Sequence, residues 1–367
     1  MDKNKTYKSI LVAPLDWGLG HATRCIPIIQ YFLDKDWQIF IACPPDSPHQ
    51  ALLSKEFPSA TFVPLFGYDV QYAKSRAFFM PKMFFQLPRI NRTIKKEQNW
   101  LKDFVKNNKI NLIFSDNRYG LSHPDIPCIF MTHQLELILP KKFQQRIAQK
   151  IIYQYINQFR QCWIPDFADN GIAGALSHPR KMPSIPVYYI GLLSRLGPKI
   201  ESEIVFKYLV VLTGPEPQRT ILESKILGIA GRISDRVLIV RGTPNQINVP
   251  FAPENCKIVN HLPNDKMQKA FAASEFIISR SGYTTVMEIL SWQKKSILIP
   301  TPGQTEQEYL GKQLHEQHYA YCFSQDCDDY LEEIEKASDF EYTFPHYDSN
   351  TYLQTMDKAL QDLNISE

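Results

Sequence analysis

The 367-residue sequence has no cysteine framework: its seven cysteines are an odd number, and none are spaced C-x-x-C, which excludes a disulfide scaffold and a zinc ribbon. No stretch approaches the roughly 18 consecutive apolar residues of a membrane span. The apolar run at 10–13, after a short polar lead, is too short for a signal-peptide core, so the cytoplasm is the expected compartment. Strong charge is missing too: 41 Lys and Arg against 38 Asp and Glu leave a formal +3. That excess does not by itself point to nucleic acid, so any charged partner must be met by a local patch. There is no internal repeat and no low-complexity tract.

What remains is an ordinary globular composition, 44% hydrophobic and 22% charged, so the chain is expected to fold. Its length exceeds the roughly 250 residues at which a single core stops growing, which predicts two domains. In the first half, apolar runs at 10–13, 38–43, 110–115 and 128–132 read as parallel strands, with helical patterns at 22–35 and 90–107 between them. The pattern lapses around 190–203, near Gly191, Gly197 and Pro198, and resumes with strands at 208–213, 237–241, 275–279 and 296–300. The expectation is an α/β chain of two Rossmann-like, doubly wound domains, residues 1–195 and 196–367, whose last helix could pack back on the N-terminal domain.

Ligands of doubly wound domains sit beyond the carboxyl ends of the strands, so the residues just after each apolar run carry the chemistry. The N-terminal cluster contains Gly18, Gly20, His21 and Arg24, then Asp116, then His133 and Gln134. Its first loop fails the G-x-G-x-x-G pattern at Thr23, which counts against a dinucleotide enzyme. His21 at a helix start suits proton transfer, because its pKa lies near working pH, although a packing histidine is the bland alternative. The C-terminal cluster contains Gly214, Arg241, His261, Leu262 and the run S-R-S-G-Y-T-T-V-M-E at 279–288, followed by Gln304, Glu306 and Gln307. Free helix-start amides and the hydroxyls of Ser281, Thr284 and Thr285 can surround a diphosphate, and Glu288 can accept from two vicinal ribose hydroxyls.

The core S-R-S-G-x-x-T-x-x-E, with the proline-rich strand end and Glu306-Gln307 after it, resembles the MurG-like glycosyltransferases, the family of the peptidoglycan lipid-intermediate N-acetylglucosaminyltransferase. The specific match covers 279–312, with the glycine and histidine loop at 18–21 in support. The resemblance implies a GT-B arrangement: two domains facing across a cleft, the C-terminal one holding UDP. It implies Glu288 on the ribose, Ser281, Gly282, Thr284 and Thr285 on the diphosphate, Gln304, Glu306 and Gln307 on the sugar, Leu262 against uracil, and His21 facing the acceptor hydroxyl. Gly214 and Arg241 complete the donor side, and Gly18, Gly20, Arg24 and Gln134 the acceptor side. The sequence departs from the family at Trp17 and Leu19, which stand in a loop that is glycine-richer in the peptidoglycan enzyme.

The implied reaction moves a hexose or N-acetylhexosamine from a UDP-sugar to a hydroxyl acceptor by single displacement with inversion. His21 is the first choice of base, with Asp116 and His133 in reserve. No DxD motif stands beside the donor residues, so helix dipole and hydroxyls, with no metal and no cofactor, are expected to stabilise the leaving diphosphate. Two other readings use the same architecture: a UDP-sugar 2-epimerase, and a non-catalytic nucleotide-sugar sensor. The aromatic stretch at 78–89, followed by Arg92, Lys95 and Lys96, either fills the N-domain core or makes a peripheral membrane contact through 78–96. Pro81 and Pro88 favour an exposed excursion over a continuous helix, which would make the acceptor a lipid or lipid-linked glycan. A second basic stretch holds Lys141, Lys142, Arg146 and Lys150.

Overall fold

The computed structural model describes residues 7–68, 70, 76–139, 141–214, 216–347 and 351–365, with 76–84 described by backbone alone. The first half runs β1 (Ser9–Pro14), α1 (Leu19–Leu33), β2 (Gln38–Cys43), α2 (Pro48–Glu56), β3 (Thr61–Pro64), α3 (Arg76–Asn107), β4 (Leu112–Asp116), β5 (Cys128–Met131), α4 (Lys142–Ile156), β6 (Gln161–Ile164) and β7 (Val187–Tyr189). The second runs β8 (Phe206–Val211), α5 (Gln218–Ala230), β9 (Val237–Val240), β10 (Cys256–Val259), α6 (Asn264–Ala272), β11 (Ser274–Ser279), α7 (Tyr283–Ser291), β12 (Lys295–Leu298), α8 (Thr305–Glu316), β13 (Tyr321–Cys322), α9 (Tyr330–Asp339) and α10 (Thr351–Asp362).

Each half folds into one wholly parallel sheet, ordered β3-β2-β1-β4-β5-β6-β7 and β10-β9-β8-β11-β12-β13. Strands covered on both faces read as unbroken apolar runs, and β1 and β4 are buried at every position, whereas the edge strands β3 and β10 are partly exposed. The order reverses between β1 and β4 in one sheet and between β8 and β11 in the other. A crevice opens outside the carboxyl ends at such reversals, so the topology itself selects 14–21 with Asp116, and 212–217 with 279–285, as places for ligands.

The halves do not fold as separate bodies. One apolar cluster joins Ile10 and Phe114 of the first sheet to Leu209 and Ile277 of the second through α7, α10 and the 172–176 turn. The chain leaves the second sheet and returns to the first, where Asp357 of α10 meets Lys35 at 3.1 Å and accepts from the Tyr31 hydroxyl. Gln161 donates to the Ala359 carbonyl at 2.8 Å, and Tyr188 to Asp362 at 2.6 Å.

Pro81 and Pro88 do not break the helix. α3 runs through both over 32 residues, because a proline forfeits one i to i−4 hydrogen bond and kinks a helix whose other bonds are kept. The side chains of 78–84 lie outside the described residues; beyond them Phe85 is 82% exposed. The short strands β3, β6, β7 and β13 escaped the hydrophobic pattern, being too brief to show a period.

The inner half of α3 is tied to the sheet by a buried ion pair. Arg118, after β4, donates to Glu97 at 2.7 Å and to the Pro14 and Phe66 carbonyls. Glu97 also accepts from the Tyr68 hydroxyl and the Gly120 amide. Burial pushes the Glu97 carboxyl up against the pull of Arg118. Removing one partner of such a pair strands the other charge, so Arg118→Met should cost about 3–5 kcal/mol in urea unfolding, and the Arg118→Met/Glu97→Gln double variant should recover much of it. Equal losses in the single and double variants would show that the pairing is not the source of the cost.

Candidate functional site

The N-terminal half of the site is assembled on Asp116, the last residue of β4. α1 starts beside it because Gly18 takes φ +88, a left-handed conformation that costs a Cβ-bearing residue and turns the chain sharply from β1 into the helix. His21 lies in the first turn of α1, 15% exposed, with Nδ1 2.9 Å from Asp116 Oδ2. Arg24, one turn on and 2% exposed, donates through Nε to Oδ2 at 2.8 Å and through Nη2 to Oδ1. Its Nη1 reaches His133 Nδ1 at 3.1 Å, just past β5. Burial alone would raise the Asp116 carboxyl, but Arg24 and His21 outweigh it and hold it at about 2. His21 is lowered, first by burial and then by Arg24, so its ring is neutral at neutral pH.

The network continues across the domain boundary. With Nδ1 accepting from Arg24, His133 donates through Nε2 to Glu306 Oε1 at 2.8 Å. Glu306 lies in the first turn of α8, where burial would raise its carboxyl but His133 and Arg24 bring it below its ordinary value. The His133 ring stacks on Tyr283, centroids 4.2 Å apart and planes within 2°, and the Tyr283 hydroxyl donates to the Pro165 carbonyl at 2.7 Å. Gly20 brings α1 and α7 together: Thr284 Oγ1 donates to its carbonyl at 3.1 Å, and a Cβ on Gly20 would crowd that same oxygen.

The C-terminal half rests on α7 and α8. Gly282 caps α7 with no side-chain hydrogen bond to its first amides, a helix start suited to an anion. The Ser281 hydroxyl is directed to the Gln307 carbonyl at 2.7 Å, and Gln307 Oε1 accepts from the Thr301 amide. Thr285 is buried on α7, and Gln304 caps α8 with its Oε1 buried and unpartnered. Glu288, 3% exposed, pairs at 2.9 Å with Arg195, and burial raises its carboxyl against that pairing. Gly214 takes φ +100 with no atom within 4 Å of a Cβ placed on it. Arg241 faces Glu223, Gln246, Asn260 and the Asn248 carbonyl, pinning the loop after β9. Leu262 packs on the large apolar cluster, and Gln134 is half-buried beside His133.

The structure thus joins His21, Arg24, Asp116, His133 and Glu306 in one network, while Arg241 belongs to another. Sequence reasoning missed Arg195, which carried no strand-end signal because it lies in the segment read as a linker, and the stacking of Tyr283. Among the described residues no group of three or more His, Cys, Asp or Glu side chains could hold a metal ion.

Comparison with known proteins bears on the family of the C-terminal domain and on the fold. Residues 210–365 match the glycosyltransferase family 28 C-terminal domain. Two curated relatives share the description UDP-N-acetylglucosamine--N-acetylmuramyl-(pentapeptide) pyrophosphoryl-undecaprenol N-acetylglucosamine transferase. That of Amoebophilus asiaticus (strain 5a2) is 38% identical over 63 residues, 17% of either chain. That of Sulfurihydrogenibium sp. (strain YO3AOP1) is 30% identical over 96 residues, 26% of either chain. The chain therefore aligns with about a quarter or less of these relatives' length. Solved structures share the fold over nearly the whole chain. The kitacinnamycin glycotransferase (TM-score 0.62, 11% identity) covers 98% of this chain and 96% of its own, and the calicheamicin glycosyltransferase CalG4 (0.62, 12%) covers 98% of each. Acinetobacter baumannii MurG (0.52, 14%) covers 91% and 90%. The two-domain α/β fold is that of these glycosyltransferases.

The site's titrations set an acid limit on the fold. Burial pushes His49, whose Nε2 contacts the Gly18 carbonyl, and His261 down to about 4 from 6.5. Unfolding lets both take up protons at about 6.5, so their contribution is complete above that pH and is lost as pH falls towards 4. Asp116, lowered to about 2 from 3.8, keeps its contribution down to about pH 3.8. Urea midpoints measured from pH 8 to 4 should fall below pH 6.5, with about 2 kcal/mol restored at pH 4.5 by His49→Gln relative to wild type. A flat profile over that range would contradict this assignment.

Proposed function

We propose that this chain, whose residues 210–365 match the glycosyltransferase family 28 C-terminal domain, transfers a hexose or N-acetylhexosamine from a UDP-sugar to the hydroxyl of a lipid-linked acceptor, inverting the anomeric carbon. The observation that carries the reading is the meeting of a histidine–carboxylate pair, at the reversal point of one sheet, with an uncapped helix start at the reversal point of the other. The names of the curated relatives support the donor and acceptor classes.

His21 Nδ1 lies 2.9 Å from both Asp116 Oδ2 and Arg24 Nη2; in this mechanism ionised Asp116 accepts the Nδ1 proton of His21, leaving Nε2 as the ring's acceptor. Arg24 holds the carboxylate, so the imidazolium formed when His21 takes the acceptor's proton stays paired with a fixed negative charge. The acceptor oxygen attacks the anomeric carbon as the bond to UDP breaks, and the leaving diphosphate is met by the α7 amides, Gly282, Thr284 and Thr285. Glu288 holds the ribose, and Gln304, Glu306 and Gln307 the sugar. His133 and Thr284 touch their partners across the cleft, so donor entry exchanges those contacts for contacts with itself. No metal takes part in this scheme.

The acceptor reading draws on the surface of α4. In α4, Phe143, Ile147 and Ile151 are 58%, 54% and 49% exposed at a spacing of four, and Lys142, Arg146 and Lys150 flank them with no acidic residue in the helix. Such a stripe suits the headgroup region of an anionic bilayer. No helix among the described residues is long and apolar enough to cross a membrane. The chain should sediment with vesicles of phosphatidylglycerol and phosphatidylcholine, and a Phe143→Ser/Ile147→Ser/Ile151→Ser variant should lose most of that binding. Unchanged sedimentation would leave α4 without this role.

For the donor, UDP should raise the melting temperature where ADP and GDP do not, and Glu288→Gln should abolish the rise. UDP release from UDP-N-acetylglucosamine with a polyprenyl-linked acceptor should fall roughly 10²–10⁴-fold in His21→Ala with UDP binding intact. Indifference to UDP at millimolar concentration would refute the reading.

A further inference from the structure

The buried arginines of this chain are matched to carboxylates: Arg24 to Asp116, Arg118 to Glu97, Arg195 to Glu288, and Arg219 and Arg241 to Glu223. Among the described residues Arg280 is different. It is 1% exposed at the step from β11 into Ser281 and Gly282, yet no carboxylate reaches it. Nη1 donates to the carbonyls of Ile299 at 3.1 Å and Pro300 at 3.2 Å. Nη2 donates to the Gln218 carbonyl at 2.7 Å and to Gln325 Oε1 at 2.5 Å, and Nε has no partner. Burial without a counter-ion draws its pKa down to about 10, which still leaves it protonated at neutral pH.

A buried charge held only by neutral dipoles is costly. The groups it gathers are informative. Ile299 and Pro300 follow the end of β12, Gln218 opens α5, and Arg280 itself adjoins the start of α7. These are the three segments whose strand-end loops, with Gly214, Gly282 and Gln304, make up the proposed donor site, Gly282 on its diphosphate. The side chain ties these segments together, and its charge, without a carboxylate, belongs to the residue two before Gly282, the uncapped start of α7.

We infer that Arg280 is a positioning residue whose uncompensated buried charge is matched by the diphosphate of the bound nucleotide, so that the ligand supplies the anion that the protein withholds. The inference rests on the UDP-sugar reading above. A carboxylate placed against Arg280 satisfies the guanidinium inside the protein and cancels the field that the diphosphate meets, because charges in a low-dielectric interior act over longer range than in water.

Two variants of the full chain test this by calorimetric titration with UDP and with uridine, which carries no phosphate. Arg280→Met removes the charge. Gln325→Glu keeps the arginine and supplies its missing partner in the same shape. Both should weaken UDP by about tenfold or more while moving uridine by less than about twofold, and Gln325→Glu should leave the urea midpoint unchanged or higher. A merely structural arginine predicts otherwise: parallel loss of UDP and uridine in Arg280→Met, or wild-type UDP affinity in Gln325→Glu, would overturn the inference. Should Arg280→Met fail to fold, Gln325→Glu decides alone. Wild-type protein that binds uridine and UDP equally would overturn the role of Arg280 while keeping the nucleoside site, whereas binding of neither would remove the donor reading itself.

Discussion

Asp116 lies at the carboxyl end of β4 with both oxygens taken by Arg24 and one shared with His21, and this arrangement orders the rest of the cleft. A carboxylate so deep in the fold stays ionised only because a guanidinium lies against it. Arg24 in turn is oriented by that carboxylate, and its remaining nitrogen sets the tautomer of His133. His133 carries the pattern to Glu306 on the other domain. One buried charge pair thereby touches both histidines and links them to the place where the domains meet.

The second domain applies the same topological device to a different end. Its sheet reverses between β8 and β11 as the first does between β1 and β4, and in each case the residue leaving the central strand enters a helix through glycine. In the first domain the reversal point carries titratable groups, the chemistry suited to proton transfer. In the second it carries amides, hydroxyls and a buried cation, the chemistry suited to an anion. Parallel sheets tolerate this division of labour because their strands are buried on both faces and the chemistry is confined to the loops.

Contact between the domains is small-scale and polar at the site but apolar behind it. Thr284 to Gly20, Tyr283 to Pro165 and His133 to Glu306 are single hydrogen bonds, readily exchanged for a ligand. The return of α10 to α1, β6 and β7, with Met356, Ala359 and Leu360 buried, joins the halves away from the cleft.

Much of the site was legible before the fold. The run at 279–288, the His21 loop and the residues after each strand followed from hydrophobic runs ending in glycine and hydroxyl residues, because a parallel sheet places ligand loops at its strand ends. Arg195 and the α10 contacts were not legible, since they come from chain segments without period. α3 passing through Pro81 and Pro88 ran against a local rule, a case of tertiary context overriding propensity. The sequence determined the two parallel-sheet domains and the kinds of side chain at their strand ends, which are matters of local pattern and burial. The tertiary structure decided which of those side chains meet: Asp116 with Arg24, His133 with Glu306, and Arg280 with no carboxylate at all. Such pairings join residues as far apart as 173 positions, and a local pattern carries no information about which distant charge will share a buried site.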